Sequence, residues 1–256
     1  MLPEEAGALV EYIEQNDLRE KKIAIFYNPS SEYSNRFKIE LKDKITNLNN
    51  PNLSIVKEFD LASENFFTST ALAELDKIGV NICLLLPDGQ ITNSLAKAID
   101  VLKQDNGKRL MLGGNPLINS KVRQIETSQP LNLVVATSWH LTANPESKFA
   151  RQTEQLWGSS VNGGTAMAYD ATLTLVEAIK RQNLPTKKRT IEQLSAENFS
   201  VSNTATGEIS FNTPKNGDRL NFVPTLVRLV ECGNSSQFVD ISLNDAEAYD
   251  LVCQGL

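Results

Sequence analysis

Histidine is almost absent from this chain: His140 stands alone in 256 residues. Any site built on two imidazoles is excluded. A Ser-His-Asp triad would have to use His140, and no Gly-x-Ser-x-Gly elbow supplies its nucleophile. Cysteine is nearly as scarce. Cys83, Cys232 and Cys253 are widely spaced and odd in number, and they match neither a metal pattern nor a disulfide framework. Cys83, inside Ile82-Cys83-Leu84-Leu85-Leu86, reads as a small core hydrophobe. The 13 glycines form no phosphate loop: Gly113-Gly114-Asn115 and Asn162-Gly163-Gly164 fit neither dinucleotide nor Walker spacing. No apolar run approaches the roughly 20 residues of a membrane span, which predicts a soluble chain. Met1-Leu2-Pro3-Glu4-Glu5-Ala6 lacks the basic and apolar regions of a signal peptide and reads as an acidic helix start. Basic excess is missing too: 31 acids against 25 bases give a net charge of −6. Lys187-Lys188-Arg189 is too short a run for a nucleic-acid footprint and reads as a solvated helix start.

What is present is a regular alternation of short apolar runs and helical patterns. Lys22-Ile23-Ala24-Ile25-Phe26-Tyr27 reads as a strand closed by Asn28-Pro29-Ser30-Ser31. Glu32 to Leu48 follows with Phe37, Leu41, Ile45 and Leu48 at helical spacing. Further strands are expected at Leu53 to Phe59, Val80 to Leu86, Arg109 to Leu112 and Leu131 to Ala136. Helices are expected at Thr68 to Ile78, Ile91 to Leu102 and Leu117 to Ile125, and an amphipathic helix at Glu4 to Glu14 precedes them all. Five strands with intervening helices predict right-handed crossovers and a doubly wound parallel sheet of the α/β class.

The pattern changes after Ser138. Ser147 to Trp157, Ala166 to Arg181 and Ile191 to Ala196 read as helices. Gly207 to Asn212 and Phe222 to Glu231 read as two strands around the turn Lys215-Asn216-Gly217-Asp218. Helices and two strands without a sheet of their own look like part of a second, incomplete lobe.

In an open parallel sheet, ligands bind where strand carboxyl ends and helix N-termini converge. The loops expected there are Asn28 to Tyr33, Leu61 to Asn65, Pro87 to Gln90, Gly113 to Pro116 and Thr137 to Leu141. They bring Tyr27, Tyr33, Asp88, Asn115, Ser138, Trp139 and His140 as polar and aromatic groups for a small polar ligand. Each also has a plainer role. Tyr33 packs on its own helix, Asp88 before Gly89 and Asn115 before Pro116 shape turns, and Trp139 and His140 face solvent or seal a hinge. Ser30 and Ser31 are expected to cap the following helix.

Lys21 to Asn28, with Tyr33 and Ser34 beyond it, resembles the opening of the second lobe in type I periplasmic binding proteins, more narrowly the leucine/isoleucine/valine receptor family. Ala168-Tyr169-Asp170-Ala171-Thr172, running on to Glu177-Ala178-Ile179, is similar to that family's long tyrosine-aspartate-alanine helix. Thr206-Gly207-Glu208-Ile209-Ser210-Phe211-Asn212 with Gly217-Asp218-Arg219 resembles its C-terminal hairpin, and Ile55 to Phe66 fits its second strand.

The resemblance implies two lobes that close on an amino acid or similar ligand in the cleft between them. Residues 21–140 would be the complete ligand-binding lobe. Residues 1–20 would be a hinge and first-lobe helix, and 141–256 would return to a first lobe whose N-terminal half is missing. Position by position, the family's second-lobe aromatic falls on Tyr33 and its third-strand contact near Asp88. Its acidic acceptor for the ligand amino group falls on Asn115. An amide carries no charge to pair with an ammonium group, so Asp88 is the expected substitute. Trp139 and Ser138 complete the expected ligand-binding set at the mouth.

No catalytic residue, cofactor or metal is implied. The reading is a non-enzymatic, extracytoplasmic solute-binding domain that partners a small polar ligand and either a membrane permease or a fused signalling module. The alternative is a ligand-free interaction module of a signalling protein, with a homodimer formed through the exposed incomplete lobe.

Overall fold

Ile82 to Leu86 are all buried, and so are Leu110 to Gly114 and Leu133 to Thr137. Strands this uniformly apolar need cover on both faces, and in the computed structural model helices supply it. The structure describes residues 1–89, 93–158, 161–212, 217–233 and 235–253. The expected helix start at Ile91, the end of the third loop at Gln90, and Lys215-Asn216 of the expected turn lie outside them.

In chain order the elements are α1 (Leu2–Gln15), β1 (Lys21–Tyr27), α2 (Glu32–Asn47), β2 (Leu53–Asp60), α3 (Thr68–Ile78), β3 (Ile82–Leu86), α4 (Ser94–Asp105), β4 (Leu110–Gly114), α5 (Ser120–Arg123) and β5 (Leu133–Thr137). Next come α6 (Lys148–Trp157), α7 (Gly163–Lys180), α8 (Lys187–Leu194), β6 (Ser200–Val201) and β7 (Ile209–Ser210). The chain closes with β8 (Thr225–Cys232), β9 (Ser235–Asp240) and α9 (Asp245–Val252). Contacts divide the chain into one unit of residues 2–137 with 226–256 and another of residues 138–225.

The first unit holds a seven-stranded sheet in the order β2-β1-β3-β4-β5-β8-β9. Its first five strands are parallel, as expected from the sequence. Strand alternation sorts the core into two layers. Ala24, Phe26, Cys83, Leu85, Met111 and Val135 face one side, against Leu72 and Leu75 of α3 and Val101 and Leu102 of α4. Ile23, Ile25, Ile82, Leu84, Leu112 and Val134 face the other, against Leu9 and Ile13 of α1 and Phe37 and Leu41 of α2. Burial pushes the Cys83 thiol well above its ordinary range, so it behaves as the hydrophobe the sequence suggests.

Five expectations are corrected here. Residues 1–20 do not belong with the second unit: the stripe Ala6, Leu9, Val10 and Ile13 buries α1 in the sheet's own core. Residues 226–256 return to the same sheet, with Val227 and Phe238 in its core, so the division does not run from 141 to the end. β8 does not pair with the strand expected at Gly207 to Asn212. It pairs antiparallel with β9, while β7 pairs with the two-residue β6. Cys232 and Cys253 form a disulfide with Cα atoms 5.2 Å apart, tying the end of β8 to α9. Their 21-residue separation hid this proximity, because only the folded hairpin brings them together. The helix expected at Leu117 to Ile125 also shrinks to a 3₁₀ turn at Asn115–Leu117 followed by the single turn α5.

The second unit carries two small cores, one around Trp139, Phe149 and Ala166 and one around Ala178, Phe199 and Ile209. The tyrosine-aspartate-alanine motif has a structural job here. Buried Asp170 accepts hydrogen bonds from the Ala205 amide at 2.6 Å, the Thr206 amide at 3.0 Å and the Thr206 hydroxyl at 2.5 Å, fixing the turn before β7. Along α7, Ala168, Ala171, Leu175, Val176 and Ile179 lie exposed.

At the amino end of β4, the side chain of Arg109 is only 3% exposed and pairs with buried Asp105 and with Asp76 at the rim. Its Nε also donates to the Val80 carbonyl at 3.1 Å. A desolvated charge left without its partner is costly. Asp105→Ala is therefore expected to lower stability by about 3 kcal/mol or more, and the double substitution Asp105→Leu/Arg109→Met by less. Urea denaturation measures both.

Candidate functional site

The order β2-β1-β3 makes the gap beyond β1 and β3 the switch point of the sheet, where successive connections leave on opposite faces. A buried polar network fills it. The Asn28 amide nitrogen donates to the Ser34 hydroxyl at 2.7 Å, and that hydroxyl donates to the Leu86 carbonyl at the end of β3. The Asn28 side chain donates to Asp88 Oδ2 at 2.6 Å, and the Ser94 hydroxyl to Asp88 Oδ1 at 2.5 Å. Asn28, Ser34 and Ser94 have no exposed surface, and Asp88 is buried. Ser31 caps α2 by accepting from the Ser34 amide. Asp88 is therefore a clamp tying β1, β3 and the first turn of α4 together, with each carboxylate oxygen accepting a hydrogen bond. These bonds give Asp88 a structural role beside the ligand counter-charge expected of it.

Tyr33 sits at the carboxyl end of β4. Its ring meets Phe37 edge-on at 5.8 Å between centroids. A Cβ on Gly114 would overlap the Tyr33 hydroxyl and stand 2.6 Å from Phe37 Cε1, so only glycine lets the tyrosine lie over the strand. That hydroxyl has no accessible surface and no hydrogen-bond partner among the described residues. Burial raises its pKa well above the ordinary phenol value, and the charge of Glu5 adds to the rise.

Glu5 is the residue that sequence reasoning missed as a site candidate. α1 packs on the sheet and its chain returns as β1, so its first turn lies at the carboxyl edge. Glu5 is 5% exposed and shares the buried face of α1 with Leu9 and Ile13. Burial pushes its carboxyl up to about 7, opposed by the chain's N-terminal ammonium and aided by the charge of Glu4. The signal was readable: an acid in line, at four-residue spacing, with the apolar stripe of an amphipathic helix.

Asn115 is exposed at the edge, where its Oδ1 accepts from the buried Thr137 hydroxyl at 3.0 Å. Tyr27 stacks under Lys38, with Nζ 3.8 Å from the ring centroid. Ser138 and Trp139 fall in the second unit. Ser138 is half-buried there. Trp139 is 2% exposed and packs edge-on against Phe149 at 5.4 Å, so it is a core residue of that unit and not an exposed wall at a mouth. His140 caps the 3₁₀ turn that follows, with Nδ1 2.8 Å from the Thr142 hydroxyl. The structure thus brings Tyr33, Asp88, Asn115 and Glu5 to one sheet edge.

No protein-family model matches the chain, and no curated protein does. Solved structures do match. An ABC transporter substrate-binding protein from Desulfitobacterium hafniense in complex with Leu is similar with a TM-score of 0.69 and 16% identity, over 93% of this chain and 65% of that one. The leucine-binding protein of Thermotoga maritima gives 0.67 and 19%, over 93% and 65%. A solute-binding protein from Rhodopseudomonas palustris BisB5 in complex with 3,4-dihydroxybenzoic acid gives 0.68 and 16%, over 94% and 64%. The fold is that of the type I periplasmic binding proteins. The chain spans about two thirds of the length of these binding proteins.

Two predictions follow from this edge. Gly114→Ala is expected to cost about 1–3 kcal/mol through overpacking, and less in a Tyr33→Phe background, as read by urea denaturation. Glu5 titrates near 7 in the folded chain against an ordinary 4.5. Between those values the folded state holds a proton that the unfolded state has released. Stability therefore falls as pH rises through that window and levels off above it, by about 3 kcal/mol in all. Glu5→Gln should abolish the fall, leaving the variant more stable than wild type at about pH 8 and similar at about pH 4.

Proposed function

We propose that this chain is a solute-binding receptor module that holds a small polar ligand, such as an amino acid, at the carboxyl edge of its sheet. The observation that carries the reading is the convergence of Tyr33, Glu5 and Asn115 on that edge in a type I binding-protein fold. The reading is non-enzymatic, in line with solved neighbours that are solute-binding proteins. Its structural neighbours include proteins in complex with Leu and with 3,4-dihydroxybenzoic acid, which supports a small polar ligand. The Cys232–Cys253 disulfide supports an oxidising, extracytoplasmic setting. Among the described residues no helix is long and apolar enough to cross a membrane; the reading includes a permease or a fused signalling module as its partner.

A ligand that binds only the folded state raises its stability by about 2.7 kcal/mol at a hundredfold excess over Kd. A thermal-shift panel of amino acids, amides, short peptides, nucleosides and 3,4-dihydroxybenzoic acid should therefore contain at least one compound that raises Tm by several degrees. A panel without effect overturns the reading.

The exposed stripe on α7 favours a second reading, an interaction module that pairs with a second copy of itself. Two such stripes facing each other across a twofold axis cover both at once. Light scattering should then give a dimer that Leu175→Glu/Ile179→Glu converts to a monomer. A monomeric wild-type chain overturns this second reading.

A further inference from the structure

Residues 180–191 hold five bases and no acid, in a chain whose acids outnumber its bases 31 to 25. They span the end of α7, the loop after it and the start of α8, all within the second unit. Lys180, Lys187 and Arg189 are exposed, and Lys188, its side chain 88% exposed, reaches Glu192 only at 4.0 Å. Arg181 is otherwise engaged, pairing with Glu177 at 3.1 Å and donating to the Ser200 carbonyl. Two large aliphatic side chains stand among these bases without cover: Leu184 is 69% exposed and Ile191 54%. The loop that presents them is held in place. Gln182 donates to the Thr190 hydroxyl at 3.0 Å and accepts from the Thr186 amide at 3.2 Å. Thr186 caps α8, and Arg189 donates to the Leu184 carbonyl at 3.2 Å. Lys187 and Lys188 lie four and three residues before Ile191, so the three share a face of α8. α8 joins the core of its unit through Leu194, and Ile191 stays outside it.

We propose that this basic, aliphatic corner docks the second unit on an anionic lipid surface. Leu184 and Ile191 enter the headgroup region, and Lys180, Lys187, Lys188 and Arg189 pair with the lipid phosphates around them. The charge of the chain argues for this occupant. A protein of net charge −6 is repelled by an anionic bilayer over most of its surface, so contact is confined to the stretch of opposite sign. Each Lys or Arg at such a surface strengthens binding about fivefold. The buried aliphatic groups add a part that salt does not screen. Lysine stems can lie along Leu184 and Ile191 while their ammonium groups reach the phosphates. A nucleic-acid backbone would give the bases a partner but the aliphatic pair none. The corner belongs to residues 138–225, whereas the proposed solute edge belongs to the sheet-bearing unit, so lipid docking stands apart from solute binding.

Co-sedimentation of the 256-residue protein with mixed phosphatidylglycerol–phosphatidylcholine vesicles tests this. Pure phosphatidylcholine vesicles and a DNA duplex serve as comparison partners. The protein is expected to bind the anionic vesicles and not the neutral ones. Binding should weaken as salt rises from about 0.01 M to about 0.1 M, where the Debye length falls from about 30 Å to about 10 Å. Lys187→Glu/Lys188→Glu should weaken it at least about twenty-five-fold. Leu184→Ser/Ile191→Ser should weaken it about tenfold while leaving the salt dependence in place. Lys77→Glu/Lys103→Glu makes the same change of charge at exposed positions of the sheet-bearing unit and should bind as wild type does. All six positions are exposed, so circular dichroism melting should give each variant the wild-type Tm. Failure to sediment with anionic vesicles overturns the proposal. So does an equal loss in Lys77→Glu/Lys103→Glu, because binding then follows net charge and not this corner. Retention of the duplex without retention of vesicles assigns the bases to nucleic acid and overturns it too.

Discussion

Parallel pairing of β1 to β5 is the constraint from which the rest of the sheet-bearing unit follows. Parallel strands need a crossover after each strand, and a sheet buried on both faces needs those crossovers to be helices. Each crossover helix then runs back against its strand, so the carboxyl ends of β1 to β5 and the N-termini of the helices that follow them meet at one edge. α1 obeys the same geometry although it precedes the first strand. That is how an acid from its first turn arrives beside a tyrosine from the start of α2 and a glycine from the end of β4.

The two ends of the sheet treat buried charge differently. At the amino end, Arg109 and Asp105 neutralise each other, and Arg109 spends its remaining donors on Asp76 and the Val80 carbonyl. At the carboxyl end, Asp88 accepts from neutral donors, and Glu5 lies on the buried face of α1, where desolvation raises its carboxyl and the N-terminal ammonium opposes the rise. The first arrangement holds a fold together. The second makes stability fall as the pH rises through the Glu5 titration.

Much of the architecture was legible from the chain alone. The period-two and period-3.6 patterns from Glu4 to Ala136 predicted the strands, the parallel sheet and every helix but the one at Leu117 to Ile125, because each element buries a face that its own residues mark. Tyr33 was legible for the same reason, as an aromatic in the first loop past the first strand. Glu5 was misread as an ordinary acidic helix start, since first-turn acids favour the helix dipole wherever they occur. Only the packing of Leu9 and Ile13 shows that Glu5 lies on the buried face. Trp139 was misjudged in the opposite sense: an aromatic after a strand signals a ligand wall and a core with equal force until Phe149 and Ala166 are seen around it.

Local pattern by itself determined the elements, their order and the edge at which a ligand site belongs. Tertiary structure alone decided which unit α1 joins, that β8 and β9 return to extend the parallel sheet, and that Cys232 meets Cys253. It also decided that Asp88 joins a buried hydrogen-bond network and that Glu5 is desolvated. The reason is physical: periodicity reports only whether a residue faces inward, whereas pairing, charge satisfaction and desolvation depend on residues far along the chain that contact it only after folding.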